Sequence, residues 1–139
     1  MTMDERSVSI RWAGHGRVYE GSWNDQSPIT LDSDSAEGPS PTEALLMSVA
    51  ACMAVDIQVI LEKGRVPVDG LTVDVSGLRA PEPPRRFVSL DISIRVSGPA
   101  EGDQGKIERA AELSRDKYCS VFQTLRSDIE VRLTARRTG

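Results

Sequence analysis

Apolar residues recur along this chain at two periods, one that fits strands and one that fits helices. Val8, Ile10 and Trp12 alternate with polar neighbours, Gly14-His15-Gly16 marks a turn, and a shorter extended stretch runs from Arg17 to Trp23, so the spacing predicts a hairpin. Leu71, Val73 and Val75 alternate with Thr72, Asp74 and Ser76. From Val88 to Ser97 the apolar positions Val88, Leu90, Ile92, Ile94 and Val96 share one face against Ser89, Asp91, Ser93, Arg95 and Ser97. Both runs read as half-buried strands. The APEPPRR segment between them holds prolines that suit an exposed connection, not a central ladder. Ile129, Val131 and Leu133 predict a last strand, and Ile107, Ala110, Ala111, Ser114 and Tyr118 recur at helical spacing.

The longest helical signal follows DSDSAEGPS, a Ser-, Asp-, Gly- and Pro-rich run expected to be a surface loop. Ser40 as N-cap, Pro41 at the first helical position and Glu43 two further on make a capping box. The helix is expected to reach about Lys63, with Gly64 as a left-handed stop and Pro67 barring resumption. Between Ala44 and Leu61 its polar side chains are Ser48, Asp56 and Gln58, so it is apolar almost all round and should be buried on most sides. A membrane span is not expected, because the uninterrupted apolar runs fall short of the ~20 residues a bilayer requires and Asp56 would sit inside it. One sheet covers one side of such a helix, and a second copy of the chain is the economical cover for the rest, so a homodimer is expected. Half-buried strands separated by two helices describe one α+β domain over residues 1–139, with a mainly antiparallel sheet, a long buried central helix and a second helix.

Charge narrows the partners. A formal net charge of -4 offers no excess of Lys and Arg for phosphate, so nucleic acid is not expected, and the basic run from Arg132 to Arg137 reads as a solvated tail. No apolar segment follows a basic one in MTMDERSVSI, so cytoplasmic residence is the default expectation. In that compartment two cysteines are not a permanent staple, and any disulfide should be transient and chemical.

The chemistry rests on those cysteines. Ser48, Cys52 and Asp56 are successive i, i+4 neighbours and form a polar stripe on an otherwise apolar rod. Cys119 stands in LSRDKYCSVFQTL, just before a helical turn expected near Ser120, where the positive end of the helix dipole would favour its thiolate. The plain alternative is that both are small packed hydrophobes, inert because apolar burial raises a thiol pKa. His15 is the only histidine; with two distant cysteines and scattered carboxylates it makes no metal site, and no cofactor-binding loop appears, so neither metal nor cofactor is expected.

Two strings, GPSPTEALLMSVAACMAVDIQVILEKGR with Cys52 and LSRDKYCSV with Cys119, resemble the OsmC/Ohr superfamily of organic hydroperoxide peroxidases, and within it the YhfA-like branch. The resemblance covers nearly the whole chain. It implies an intertwined α+β homodimer with sites near the interface, a peroxiredoxin-like reaction in which Cys52 attacks an organic or lipid hydroperoxide, Cys119 as the resolving thiol, and an external dithiol as reductant in oxidative-stress defence. At a thiol pKa of ~8.5 about 3% is ionised at pH 7, whereas ~6 leaves roughly 90% as thiolate, so a neighbouring cation matters. Peroxidases of the superfamily carry a glutamate directly after the helix-initiating proline, paired with an N-terminal arginine. This chain has Thr42 there and its carboxylate one later, at Glu43. Arg17, Arg85 and Arg86 compete for the activating role. A non-catalytic member of the same fold, binding an apolar ligand or sensing redox state, is the alternative.

Overall fold

The computed structural model describes residues 2–139, which cluster into two compact units, one up to Leu45 and one from Leu46 to Gly139. In the first unit, strands β1 (Ser9–Trp12), β2 (Val18–Ser22) and β3 (Ile29–Asp32) form an antiparallel sheet in that order. The expected hairpin is β1–β2, and the Trp12 indole N–H donates to the Gly16 carbonyl across its turn. β3 was not anticipated. Its turn places Asn24 and Asp25 at φ 44° and 56°, with Gln26 N–H on the Trp23 carbonyl, so two non-glycine residues make the left-handed pair that usually advertises itself as Asn-Gly. The alternation in β1 does not bury a face within this chain: Ile10 and Trp12 are about half exposed.

Asp32 ends β3 and organises the loop after it. Its carboxylate is buried and accepts the N–H groups of Asp34, Ala36 and Glu37. Those bonds hold its pKa below the usual carboxylate range. The loop delivers Ser40 to the start of α1 (Pro41–Lys63), where the capping box forms as the sequence predicts: Glu43 N–H donates to Ser40 Oγ, and Ser40 N–H donates to Glu43 Oε1. Ser35 Oγ donates to the same Glu43 oxygen.

The second unit carries the core. β4 (Gly70–Arg79) and β5 (Phe87–Ser97) pair antiparallel, and β6 (Glu130–Thr138) joins β5 in parallel. The register stacks Val75, Ile92 and Leu133 across the three strands, then Val73, Ile94 and Ala135. Against them α1 packs Val49, Met53, Ile57 and Leu61, each buried, and α2 (Gln104–Leu113) adds Ile107, Ala110 and Ala111. Each such aliphatic side chain contributes about 1.5–3 kcal/mol by leaving water. The arginines from Arg132 to Arg137 are not a tail: they stand in β6, with Arg137 Nε donating to the Pro99 carbonyl.

The end of α1 differs from expectation by one residue. Arg65, not Gly64, takes the left-handed conformation at φ 58°. Arg65 N–H then reaches the Glu62 carbonyl and Val66 N–H reaches the Leu61 carbonyl, the two bonds of a Schellman motif, with Val66 and Leu61 both in the core. α1, at 23 residues, is long and apolar enough to cross a membrane by length and composition, so the expectation against a span does not follow from length. Val49, Met53, Ile57 and Leu61 enter the core and Asp56 is bonded within the chain, but Met47, Val55 and Val59 are exposed, so within this chain the helix is covered on one side and not on most sides as expected.

Candidate active site

Three stripes run along α1. Val49, Met53, Ile57 and Leu61 enter the core. One residue back, Ser48, Cys52, Asp56 and Ile60 lie about 100° around the helix, so Cys52 and Asp56 sit at the margin of the core, each half-buried. Two residues back, Met47, Val55 and Val59 point the other way and are exposed.

Opposite Cys52 and Asp56 the chain departs from regular helix. After α2 the segment Ser114–Tyr118 winds as a single π turn, closed by Cys119 N–H on the Ser114 carbonyl at 2.8 Å. Such turns are frequent at functional positions because the wider ring re-aims side chains. Ser114, fully buried, donates through Oγ to Asp56 Oδ2 at 2.9 Å. Cys119 follows as N-cap of the short α3 (Ser120–Thr124), and its Sγ accepts the Phe122 N–H at 3.3 Å.

Cys52 Sγ, Cys119 Sγ and a carboxylate oxygen of Asp56 all lie within 4.8 Å of one another. The thiols remote in sequence therefore meet, and both are free. They are unequal, since Cys119 is fully buried while Cys52 is half-buried. Burial pushes the Cys119 thiol up to about 12, with Cys52 and Asp56 beside it adding to the rise and only the Phe122 N–H opposing it. The expectation that a helix N-terminus would favour the Cys119 thiolate is thus reversed: α3 is five residues long, and its single N–H does not offset desolvation. The expectation that no metal-ligand group exists rested on sequence distance, and these three side chains are a group that sequence distance concealed.

Glu43 serves the capping box and Ser35, which hold its pKa low. Arg17 lines an apolar cleft of about 280 Å³ in the first unit with Ile10, Tyr19, Leu31, Ser33 and Pro41. Arg86 donates to the Phe87 carbonyl and faces Asp128 at 3.6 Å, and Arg85 occupies a positive-φ turn position at 52°. His15 contacts Glu37 at 2.8 Å. Ser114 was read from sequence only as part of a helical repeat. Its role beside Asp56 has no local signature, because the two are 58 positions apart.

The family model for OsmC-like proteins matches residues 33–134, a span that contains both cysteines, Asp56 and Ser114. This chain belongs to the OsmC-like protein family. It is 32% identical over 123 residues to the protein YhfA of Escherichia coli, an alignment covering 88% of this chain and 90% of that protein. A hypothetical protein of Aquifex aeolicus superposes with a TM-score of 0.86 at 23% identity, covering 98% of each chain. An organic hydroperoxide resistance protein OsmC of Legionella pneumophila superposes at 0.70 with 13% identity, covering 98% of this chain and 99% of its own. These superpositions establish the OsmC/Ohr fold for the α+β architecture described above.

Proposed function

We propose that this OsmC-like protein is a two-cysteine thiol peroxidase acting on organic hydroperoxides of the lipid type. The observation that carries the reading is the meeting of a half-exposed and a fully buried thiol within 4.8 Å. Cys52 can meet a substrate, and its thiolate attacks the O–O bond, releasing an alcohol and leaving a sulfenic acid. Cys119 then attacks that sulfenic acid through sulfur, its thiol proton and the sulfenic hydroxyl leaving as water while the disulfide forms. An external dithiol then restores both thiols. Disulfide closure needs a sulfur separation of about 2.05 Å, so side-chain rotation must complete the approach. Proteins of the same fold that are named for organic hydroperoxide resistance support the substrate class.

Thiol counting tests this reading. One equivalent of cumene hydroperoxide should consume both thiols of the wild type and leave the single remaining thiol of Cys52→Ser intact, while Cys119→Ala should accumulate a dimedone-reactive sulfenic acid. Unchanged thiol loss in Cys52→Ser would discard the reading. The activating cation falls to Arg17, Arg85 or Arg86, and the glutamine variant that slows the first oxidation identifies it. One observation favours a redox sensor instead: Thr42 follows Pro41 where peroxidases of the family carry glutamate. A sensor would oxidise once per protein without turnover when dithiol is supplied.

The same reading includes a homodimer. Met47, Val55 and Val59 leave an apolar stripe of α1 exposed, and a second copy is the cover proposed for it.

A further inference from the structure

We propose that the reduced Cys52–Cys119 pair, together with Asp56, also binds one thiophilic divalent cation of the zinc class. The proposal does not depend on peroxidase activity. Cys52 and Asp56 project from one face of α1 one turn apart, the i, i+4 spacing by which a helix offers two ligands to one ion. Cys119 supplies the third from the start of α3, and the three ligand atoms lie within 4.8 Å of one another. A tetrahedral ion with Zn–S bonds of about 2.3 Å wants its ligand atoms roughly 3.5–3.8 Å apart, so the site needs a closure of at most about 1 Å.

The surroundings are those of a ligand set. Phe122 N–H donates to Cys119 Sγ, and Ser114 Oγ, fully buried, donates to Asp56 Oδ2. Outer hydrogen bonds of this kind fix ligand orientation and are worth about 10- to 100-fold in affinity. Cys119 and Ser114 form the buried floor, while Cys52 and Asp56 stand half-buried toward solvent. An ion can therefore enter from the Cys52 side, with three protein ligands and a fourth position for water. Two sulfur donors select for zinc-like ions over magnesium and calcium, which take oxygen ligands.

The same sulfurs cannot hold an ion and form a disulfide. A bound cation masks Cys52. An organic hydroperoxide that oxidises the pair takes two electrons from the two thiolates and two protons from solvent, yields alcohol, water and the disulfide, and leaves Asp56 as sole ligand, so the ion departs.

The test uses the full chain, reduced and freed of metal, titrated with Zn²⁺ and with Co²⁺ as a spectroscopic probe. Expected are one ion per chain, a thiolate-to-cobalt charge-transfer band, and proton release on binding. Asp56→Asn should weaken binding about 10- to 100-fold and Ser114→Ala about 10-fold, with unchanged circular dichroism. The disulfide form should bind none. Because Cys119 lies in the core, the sulfur requirement is read from half-buried Cys52→Ser and from the disulfide form. A cobalt spectrum lacking sulfur bands, or equal affinity in wild type and Cys52→Ser, overturns the proposal. Peroxide consumption by the metal-free wild type is followed separately, so failure of the ion site and failure of the peroxidase reading are distinguishable.

Discussion

Up to Leu45, Val18 is the only buried hydrophobic side chain among the described residues, and the carboxylate of Asp32 gathers three backbone N–H groups. From Leu46 onward, Ile57, Ile92, Ile94 and Ile107 are fully buried in a shared cluster. Both regions show strand alternation of similar strength in sequence, yet only the second buries its apolar faces within the chain. An alternating pattern therefore records that a face is to be covered, and not by what.

The largest effect should come from the second region. Ile57→Ala removes a fully buried side chain between helix and sheet and is expected to lower stability by about 2–5 kcal/mol in urea denaturation. Trp12→Ala is the counterpart in the first region. Were its face open to water in the working protein, the cost would stay within about 0.5 kcal/mol. With the proposed second copy, the cost should exceed about 1 kcal/mol and the melting temperature should fall on dilution. A small, concentration-independent effect would remove Trp12 from any interface.

Acid and alkali should also separate the two regions. Asp32 and Glu43 have lowered pKa values in the fold, so their stabilisation is present above the ordinary carboxylate range and is lost as pH falls through their folded values. Amide protection at Asp34, Ala36 and Glu37 should fade on acidification, and in Asp32→Asn it should already be low at neutral pH. Cys119 has the opposite sense. Its thiol is raised from 9.0 to about 12, so the unfolded chain loses that proton first and stability falls as pH rises from about 9 toward 12. Urea midpoints at pH 8 and pH 10 should differ less in Cys119→Ala than in wild type.

What the sequence disclosed follows the same division. The Ser40–Glu43 box, the extent of α1, the alternating faces of β4 and β5 and the Cys52–Asp56 stripe are all written in neighbours one to four residues apart, and all are present. β3 was missed because Ile29–Asp32 is four residues long and follows a turn without glycine at its left-handed positions. The parallel direction of β6 was missed because a period of two carries no direction. At the site, the stripe on α1 was legible, but Ser114 and the burial of Cys119 were not. They depend on a π turn and on packing between segments far apart in the chain.

The smallest effect concerns the two ends of α1. Its start has the residues its geometry favours, whereas its end places Arg65 at φ 58°, in the position where helices most often carry glycine. A side chain in this conformation crowds the following carbonyl and costs about 1–2 kcal/mol, while glycine adds flexibility to the unfolded chain worth part of that sum. Arg65 is exposed, and its backbone bonds to Glu62 and from Val66 to Leu61 do not involve its side chain. Arg65→Gly should therefore stabilise the protein by about 0.5–1 kcal/mol in urea denaturation, with no change in the reactivity of Cys52. Arg65→Val, β-branched at the same φ, should destabilise. If both variants matched the wild type, the helix end would be adopting another conformation in solution.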